Sequence, residues 1–198
     1  MPESEDPATR AATLGFLEAL QKQAQAWRAG ESCLWPRQAL TPAAGAAIDD
    51  ALGEGEVSAR LEGAAGLVEV QETVFAGIWA MRAYGGPQGQ GVREQVEVSA
   101  FPKALLARAF PSKRTRPDMA AGVRVGVVNA PAILTELFEQ SENWHPWNTP
   151  HVVNLSLLPH TPEDMELLEE SLGRGRLTIL SRGYGNCRIE ATATPHVW

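Results

Sequence analysis

The sequence has few of the residues on which covalent and metal sites usually depend. Only two cysteines, Cys33 and Cys187, and four histidines occur among the 198 residues. Two cysteines are too few for a disulfide framework, which favours a reducing compartment. Because there is no CxxC pair and no two histidines lie at helical spacing, the sequence predicts no metal site and no cofactor.

Long apolar runs and an excess of positive charge are also lacking. No stretch approaches the roughly 18 apolar residues that a transmembrane helix needs, and Met1–Arg10 lacks the basic and apolar pattern of a signal peptide. The net charge of −7 opposes binding to nucleic acid or to an anionic membrane, because both attract lysine and arginine. We therefore expect a soluble, cytoplasmic protein that binds neither.

The motifs of common enzyme classes are missing as well. There is no GxGxxG between a strand and a helix, no GxxxxGK[ST] loop and no GxSxG elbow. The sequence therefore predicts no catalytic residue set. An enzyme with a small-molecule site between two pseudo-symmetric halves is an alternative, because such clefts often hold ligands. It is the weakest of the alternatives, since no set of residues calls for it.

The chain does contain an internal repeat. Thr41-Pro42, Leu52, Gly53 and Gly55 recur as Thr161-Pro162, Leu172, Gly173 and Gly175, and Thr73, Ile78 and Trp79 recur as Thr192, Val197 and Trp198. The period of about 120 residues is far longer than that of a solenoid. The repeat predicts an α+β fold: a tandem duplication of a small helix–strand–helix–hairpin unit, with mixed or antiparallel sheets and flanking helices.

The predicted domain boundaries follow the repeat. Residues 1–110 are the first copy, residues 111–121 are a basic, proline-flanked linker, and residues 122–198 are the second copy. Further strands are predicted after Trp79, whereas Trp198 ends the sequence, so the second copy is interpreted as incomplete. Because a bare hairpin edge is rarely left uncovered, this predicts a homodimer that involves residues 187–198.

Local patterns predict most of the helices and strands. Helices are expected over residues 8–28, around residues 130–138, and after the two Thr-Pro pairs, which resemble helix starts. Alternation of apolar and polar residues predicts the hairpins 56–61 with 67–73 and 176–181 with 187–193, and two further strands at 78–84 and 92–99. Val152–Leu157 is predicted to be a buried strand.

The segment SRGYGNCR is the main candidate site. It brings together, in one glycine-rich turn, Arg182, Tyr184, Asn186, Cys187 and Arg188. Glycine lets a partner approach the backbone closely, so the segment is interpreted as a partner-binding loop or as the site of a redox-active or metal-binding thiol; the alternative is an ordinary turn. Since the repeat aligns Cys187 with Val68, we expect a core-facing thiol that packs as a small apolar residue.

The segment NWHPW is a second candidate. Trp147 is interpreted as a hydrophobic anchor for a partner protein, because buried tryptophans often dominate interfaces. The alternative is that Trp144 and Trp147 cover the end of the preceding helix.

Several long segments resemble one protein family. ETVFAGIW (72–79), GVVNAPAILTELFEQSENW (126–144), HVVNLSLLPHTPEDMELLEESLGRG (151–175) and TILSRGYGNCRIEAT (178–192) are similar to the HupH/HyaF hydrogenase expression/formation family. The resemblance implies a non-enzymatic accessory protein in the maturation of a nickel–iron uptake hydrogenase. The implied partners are the hydrogenase small subunit precursor, which carries iron–sulfur clusters, and a thioredoxin-like hydrogenase accessory protein. The alternative is a redox or iron–sulfur handling protein that acts through Cys187.

Overall fold

The structure is an α+β fold in which four consecutive strands and a later pair of strands are separated by helices. The computed structural model describes residues 6–64, 66–85, 91–110, 124–183 and 185–198, so the predicted linker at 111–121 lies outside the described residues. The helices in the described ranges are α1 (Pro7–Ala26), α2 (Pro42–Leu52), α3 (Lys103–Leu106), α4 (Ala130–Glu142) and α5 (Pro162–Leu172). None of these helices combines the length and the apolar character needed to cross a membrane.

The strands that the structure describes form one seven-stranded sheet. They are β1 (Ser32–Pro36), β2 (Val57–Gly63), β3 (Gly66–Glu72), β4 (Ile78–Tyr84), β5 (Val92–Ser99), β6 (Arg174–Ser181) and β7 (Cys187–Thr192). Their order across the sheet is β1-β5-β4-β3-β2-β6-β7, which makes β1 and β7 the outermost strands. The β1–β5, β5–β4, β4–β3, β3–β2 and β2–β6 pairs are antiparallel. The α+β class is therefore confirmed.

Contacts divide the chain into two compact units. One consists of Met1–Ala107 and Leu177–Ile189, and the other of Arg108–Arg176 and Glu190–Trp198. The first has an apolar core of Leu20, Ile48, Leu52, Ile78, Val96 and Val98. The second has a core of Ala130, Ile133, Leu134, Phe138 and Leu168. These units do not coincide with the boundaries at residues 110 and 122, which remain a prediction about the repeated sequence.

Both helix starts predicted from the Thr-Pro pairs are confirmed. The Thr41 hydroxyl accepts a hydrogen bond from the Ala44 N–H at 3.2 Å, which begins α2. At α5 the bonds are reciprocal, since Thr161 Oγ1 accepts from the Asp164 N–H and Asp164 Oδ2 accepts from the Thr161 N–H, each at 3.0 Å. Such a capping box satisfies two backbone donors that a helix start otherwise leaves without partners.

The predicted strand at Val152–Leu157 is wrong. The segment contains only a short 3₁₀ turn, Leu155–Leu157, and Val152 and Leu157 are 77% and 79% exposed. In the first copy the segment at the same place in the element order is β1, which has β5 as its partner strand. No described strand pairs with residues 152–157, and an unpaired extended segment gains no ladder hydrogen bonds.

Candidate functional site

The two hairpins that the repeat predicts end in the same hydrogen-bonded turn. In the first copy the Thr73 N–H donates to the Ile78 carbonyl at 2.9 Å, and in the second the Thr192 N–H donates to the Val197 carbonyl at 3.0 Å. Each threonine hydroxyl also accepts from the N–H two residues further on, at 3.2 Å and 3.1 Å respectively. The duplication read from the sequence is therefore present in the backbone.

The second turn differs from the first at one residue. His196 stands where the first copy has Gly77, and both have positive φ, 62° and 80°. His196 is the one non-glycine residue with positive φ in the described ranges; this conformation is costly for a residue with a side chain. Its ring stacks on Trp144 with centroids 3.9 Å apart and planes 4° apart, and burial lowers the pKa of His196.

The turn between β6 and β7 brings together most of the residues predicted from SRGYGNCR. Arg182, Asn186, Cys187 and Arg188, together with Leu180 and Ser181, line one open groove, which we call the turn groove. Tyr184 lies outside the described residues. The turn is hydrogen-bonded to the residue before β2, because the Arg182 N–H donates to the Glu56 carbonyl at 3.0 Å. Four of the five predicted side chains thus border one surface.

The expectation that Cys187 faces the core is wrong, because its side chain is exposed. Its counterpart in the first copy, Val68, lies on β3, which has β2 on one side and β4 on the other. Cys187 lies on β7, and β6 is its sole neighbour in the described sheet. Among the described residues no three His, Cys, Asp or Glu side chains lie close enough together to hold a metal ion. The groove therefore presents a thiol rather than a metal-ligand set.

Trp147 is strongly exposed and is not among the residues that line the turn groove. It is 79% exposed, and its ring stacks on His145 with centroids 5.1 Å apart. Trp144 is partly covered by its stack on His196, so the two tryptophans of NWHPW have different roles in the fold. The partner-binding role of Trp147 stays a prediction.

Comparison with known proteins identifies the family. The family described as "HupH hydrogenase expression protein, C-terminal conserved region" matches residues 12–113 and 127–198. The chain belongs to the HupH family. The resemblance predicted from segments such as TILSRGYGNCRIEAT is therefore confirmed.

Curated members of the HupH family align with most or all of the chain. The hydrogenase expression/formation protein HupH of Rhodobacter capsulatus is 43% identical over 100% of this chain and 69% of its own length. The HoxQ protein of Cupriavidus necator is 45% identical over 76% of this chain and 52% of its own length. A solved structure of the hydrogenase expression protein HupH from Thiobacillus denitrificans aligns with a TM-score of 0.42 at 25% identity, covering 64% of this chain and 95% of its own.

Sequence reasoning missed the wider role of one carboxylate in this HupH-family chain. Besides capping α5, Asp164 accepts hydrogen bonds at Oδ1 from the N–H groups of Val128, Asn129 and Ala130 at 2.8–2.9 Å. It therefore joins the starts of α4 and α5. Burial raises the pKa of Asp164, but its backbone hydrogen bonds outweigh burial and hold the pKa well below its usual range. No local pattern reveals these donors, because they lie more than thirty residues earlier in the chain.

A buried arginine was also missed. Arg37 follows β1 and is almost fully buried, and its guanidinium donates to Asp49 Oδ1 and to the Gly45 carbonyl, each at 2.6 Å. Asp49 also lies 3.4 Å from Arg82 on β4. A buried charge must be paired in this way, so we interpret the group as a structural link between α2 and the sheet. A lone arginine among surface-like residues gives no sequence signal of such burial.

Proposed function

We propose that this chain is an accessory protein in the maturation of a nickel–iron hydrogenase and that it acts by binding rather than by catalysis. The observation that carries the proposal is the match over the whole chain, at 43% identity, to a protein named for hydrogenase expression and formation. The chemistry of the turn groove supports it, since the groove offers hydrogen-bond donors and a thiol. Such a set suits recognition of an extended polar segment of another protein.

We propose the turn groove as the contact for the hydrogenase small subunit precursor. Arg182 and Arg188 present guanidinium groups, which bind carboxylates and backbone carbonyls through several donors at once. Asn186 adds an amide that both donates and accepts. A thioredoxin-like hydrogenase accessory protein is the second proposed partner.

A quantitative pull-down with purified small subunit precursor tests this proposal. Reversing the charge of an exposed groove arginine, Arg182→Glu, is expected to weaken binding about tenfold or more, because like charges then meet across the interface. The matched control is Arg93→Glu on β5, which makes the same charge change at another exposed position. If neither the precursor nor the mature subunit binds, with or without the thioredoxin-like protein, the proposed function is wrong. Equal weakening of binding by both variants would show that the turn groove is not the contact for the precursor.

We propose Trp147 as a second point of contact with the same partner. A large, exposed aromatic ring loses much of its apolar hydration when a partner covers it. Trp147→Ala is expected to weaken the complex about tenfold or more in the same pull-down. Val125→Ala, another highly exposed apolar residue of this region, is the control. Equal affinities of Trp147→Ala and the unmodified protein would show that the tryptophan takes no part.

The exposure of Cys187 favours a second candidate function, redox or iron–sulfur handling through this thiol. In the redox form, the Cys187 thiolate attacks a disulfide of the thioredoxin-like partner, forms a mixed disulfide and releases the other partner sulfur as a thiolate. Trapping that mixed disulfide is the test. Cys187→Ser should abolish it and Cys33→Ser should not. Absence of any mixed disulfide with the unmodified protein would contradict this candidate.

We also propose a homodimer that involves residues 187–198. The outermost position of β7 supports it, because exposed strand edges readily pair with other strands.

A further inference from the structure

The C-terminal end of a helix covers the second turn. The Ser141 hydroxyl, in the last turn of α4, donates to the Pro195 carbonyl at 2.6 Å. Just beyond the helix, the Trp144 ring stacks on His196. Thr194, in the middle of the turn, is only 4% exposed. The helix end and the turn belong to the same compact unit, so the second copy supplies this cover itself.

The first turn is closed by the same backbone hydrogen bond, but its apolar side chains remain exposed. Val74 is 60% exposed and Phe75 is 52% exposed. At the end of α1, Ala24 and Trp27 stand where α4 has its serine and its tryptophan. Both residues pack against the apolar core of their own unit, and alanine has no hydroxyl to donate. The end of α1 therefore contributes to the core, and the first turn stays open to solvent.

Backbone hydrogen bonds hold an acidic segment beside the first turn. The Gly55 N–H donates to the Glu72 carbonyl at 2.7 Å. The Val74 N–H donates to the Leu52 carbonyl at 3.0 Å. Glu54, which is exposed, lies between these two bonds and so beside the turn. No described residue forms an ion pair with Glu54 or Glu72, so two acidic residues border the exposed apolar pair.

The charge beside the turn is reversed between the two copies. Glu54 in the first copy matches Arg174 in the second, and Glu72 matches an alanine. In the second copy the helix end that covers the turn is acidic, with Glu139 and Glu142 in its last turn. An arginine beside the turn is thus combined with an acidic helix end, which electrostatic complementarity favours. The same rule applied to the first turn requires a helix end that carries positive charge.

We infer that the first turn is a docking surface for a partner protein's helix, whose C-terminal end carries an aromatic residue flanked by lysine or arginine. The aromatic ring covers Val74 and Phe75, as Trp144 covers the second turn. The cationic side chains face Glu54 and Glu72. Positive charge also stabilises the C-terminal end of the helix that carries it, because it interacts favourably with the helix dipole. The inference goes beyond the proposed function, because this surface contains none of the residues that line the turn groove.

A labelled, alanine-based helical peptide provides the probe. It ends in residues 140–144 of this chain with Glu142→Lys and has lysines in its preceding turns. The comparison peptide keeps Glu142 and has glutamates in place of the lysines. Fluorescence anisotropy should show that the lysine peptide binds about tenfold more tightly than the glutamate peptide, and added salt should reduce this preference. Trp144→Ala in the lysine peptide should weaken its binding by about tenfold.

Two matched pairs of chain variants locate the binding surface. Phe75→Ala is expected to weaken binding of the lysine peptide about fivefold or more. Leu14→Ala, at a residue of α1 with 49% exposure, should leave it unchanged. Glu54→Arg gives the first copy the residue of the second and should shift the preference towards the glutamate peptide. Glu18→Arg, at an exposed residue of α1, makes the same charge change and should not.

The outcomes separate a basic helix from other occupants of the surface. Tighter binding of the lysine peptide, lost in Phe75→Ala and Glu54→Arg but kept in both control variants, supports the inference. Equal binding of the two peptides, no saturable binding of the lysine peptide, or equal weakening by Phe75→Ala and Leu14→Ala overturns it. Self-association of the chain that Phe75→Ala abolishes also overturns it, because a second copy would then occupy the surface. The pull-down with small subunit precursor tests the proposed function separately.

Discussion

At the scale of single residues, Asp164 shows how one carboxylate stabilises two helix starts. Its two oxygens accept four backbone N–H groups, three from the start of α4 and one from the start of α5. These donors lie at or next to the two helix starts, where backbone N–H groups have no partner within the helix. The low folded-state pKa of Asp164 follows from this concentration of donors.

Asp164→Asn is expected to lower Tm by several degrees at neutral pH, because an amide carries no charge and has one accepting oxygen instead of two. The stabilisation by Asp164 is complete above its unfolded-state pKa of about 3.9. It is lost as the pH falls towards the lower folded-state pKa, because the unfolded chain then binds the proton first. Urea unfolding at several pH values should show a shallower acid loss in the variant. An unchanged acid profile would contradict this role.

His196 allows a test of backbone strain in the second turn. Ala and Gly both remove the stack on Trp144, but only Gly relieves the positive φ. His196→Gly is therefore expected to be about 1 kcal/mol more stable than His196→Ala, the reverse of their usual order within a helix. Chemical denaturation of both variants measures the difference, and a more stable alanine variant would refute the strain argument.

At the scale of elements, the repeated turn accounts for two of the repeated glycines. A Cβ atom on Gly175 would lie well inside contact distance of the carbonyl oxygens of Ala191 and Thr192, and one on Gly55 would meet the Thr73 carbonyl in the same way. The close approach of backbone to backbone thus requires glycine in both copies.

Gly175→Ala is expected to destabilise the protein by about 2 kcal/mol or more, since backbone atoms have to move to admit the methyl group. Gly15→Ala is the control, because it lies within α1 with nothing close to its added Cβ. It should stabilise the protein by about 1 kcal/mol through its higher helix propensity. Both changes are measured by urea unfolding, and a harmless Gly175→Ala would mean that the turn is not constrained.

The sequence predicts the local elements well and the long-range partners poorly. Thr161, Pro162 and Asp164 mark a helix start within four residues, and β4 and β5 match their predicted bounds. Exposure of Cys187 depends instead on which strand lies next to β7, and the fate of Val152–Leu157 depends on whether a partner strand is present. Neither is encoded in the neighbouring residues. The turn groove was anticipated because its residues lie within one turn of the chain.

At the scale of the whole molecule, the two outermost strands are protected unequally. β1 is five residues long and ends in Pro36, and short strands and proline are common ways to keep a sheet edge from pairing. β7 carries no proline. The expected homodimer should therefore form through β7 rather than through β1.

Sedimentation velocity over a range of concentrations tests the homodimer. The chain should shift towards a dimer as its concentration rises, since edge pairing is a bimolecular equilibrium. Ile189→Arg should remain monomeric, and Leu34→Arg should dimerise like the unmodified chain. A monomer at the highest soluble concentration, or loss of the dimer in both variants, would argue against pairing through β7.

The pairing of β2 with β6 also has a consequence for the order of events during synthesis. Ser181 on β6 faces Val57 on β2. One side of β2 therefore has no partner strand until β6 is synthesised about 120 residues later, a delay on the order of ten seconds at ordinary elongation rates. During that interval the nascent chain presents an unpaired strand to its surroundings. A chaperone or an early partner can bind the first copy during this interval, before β6 pairs with β2.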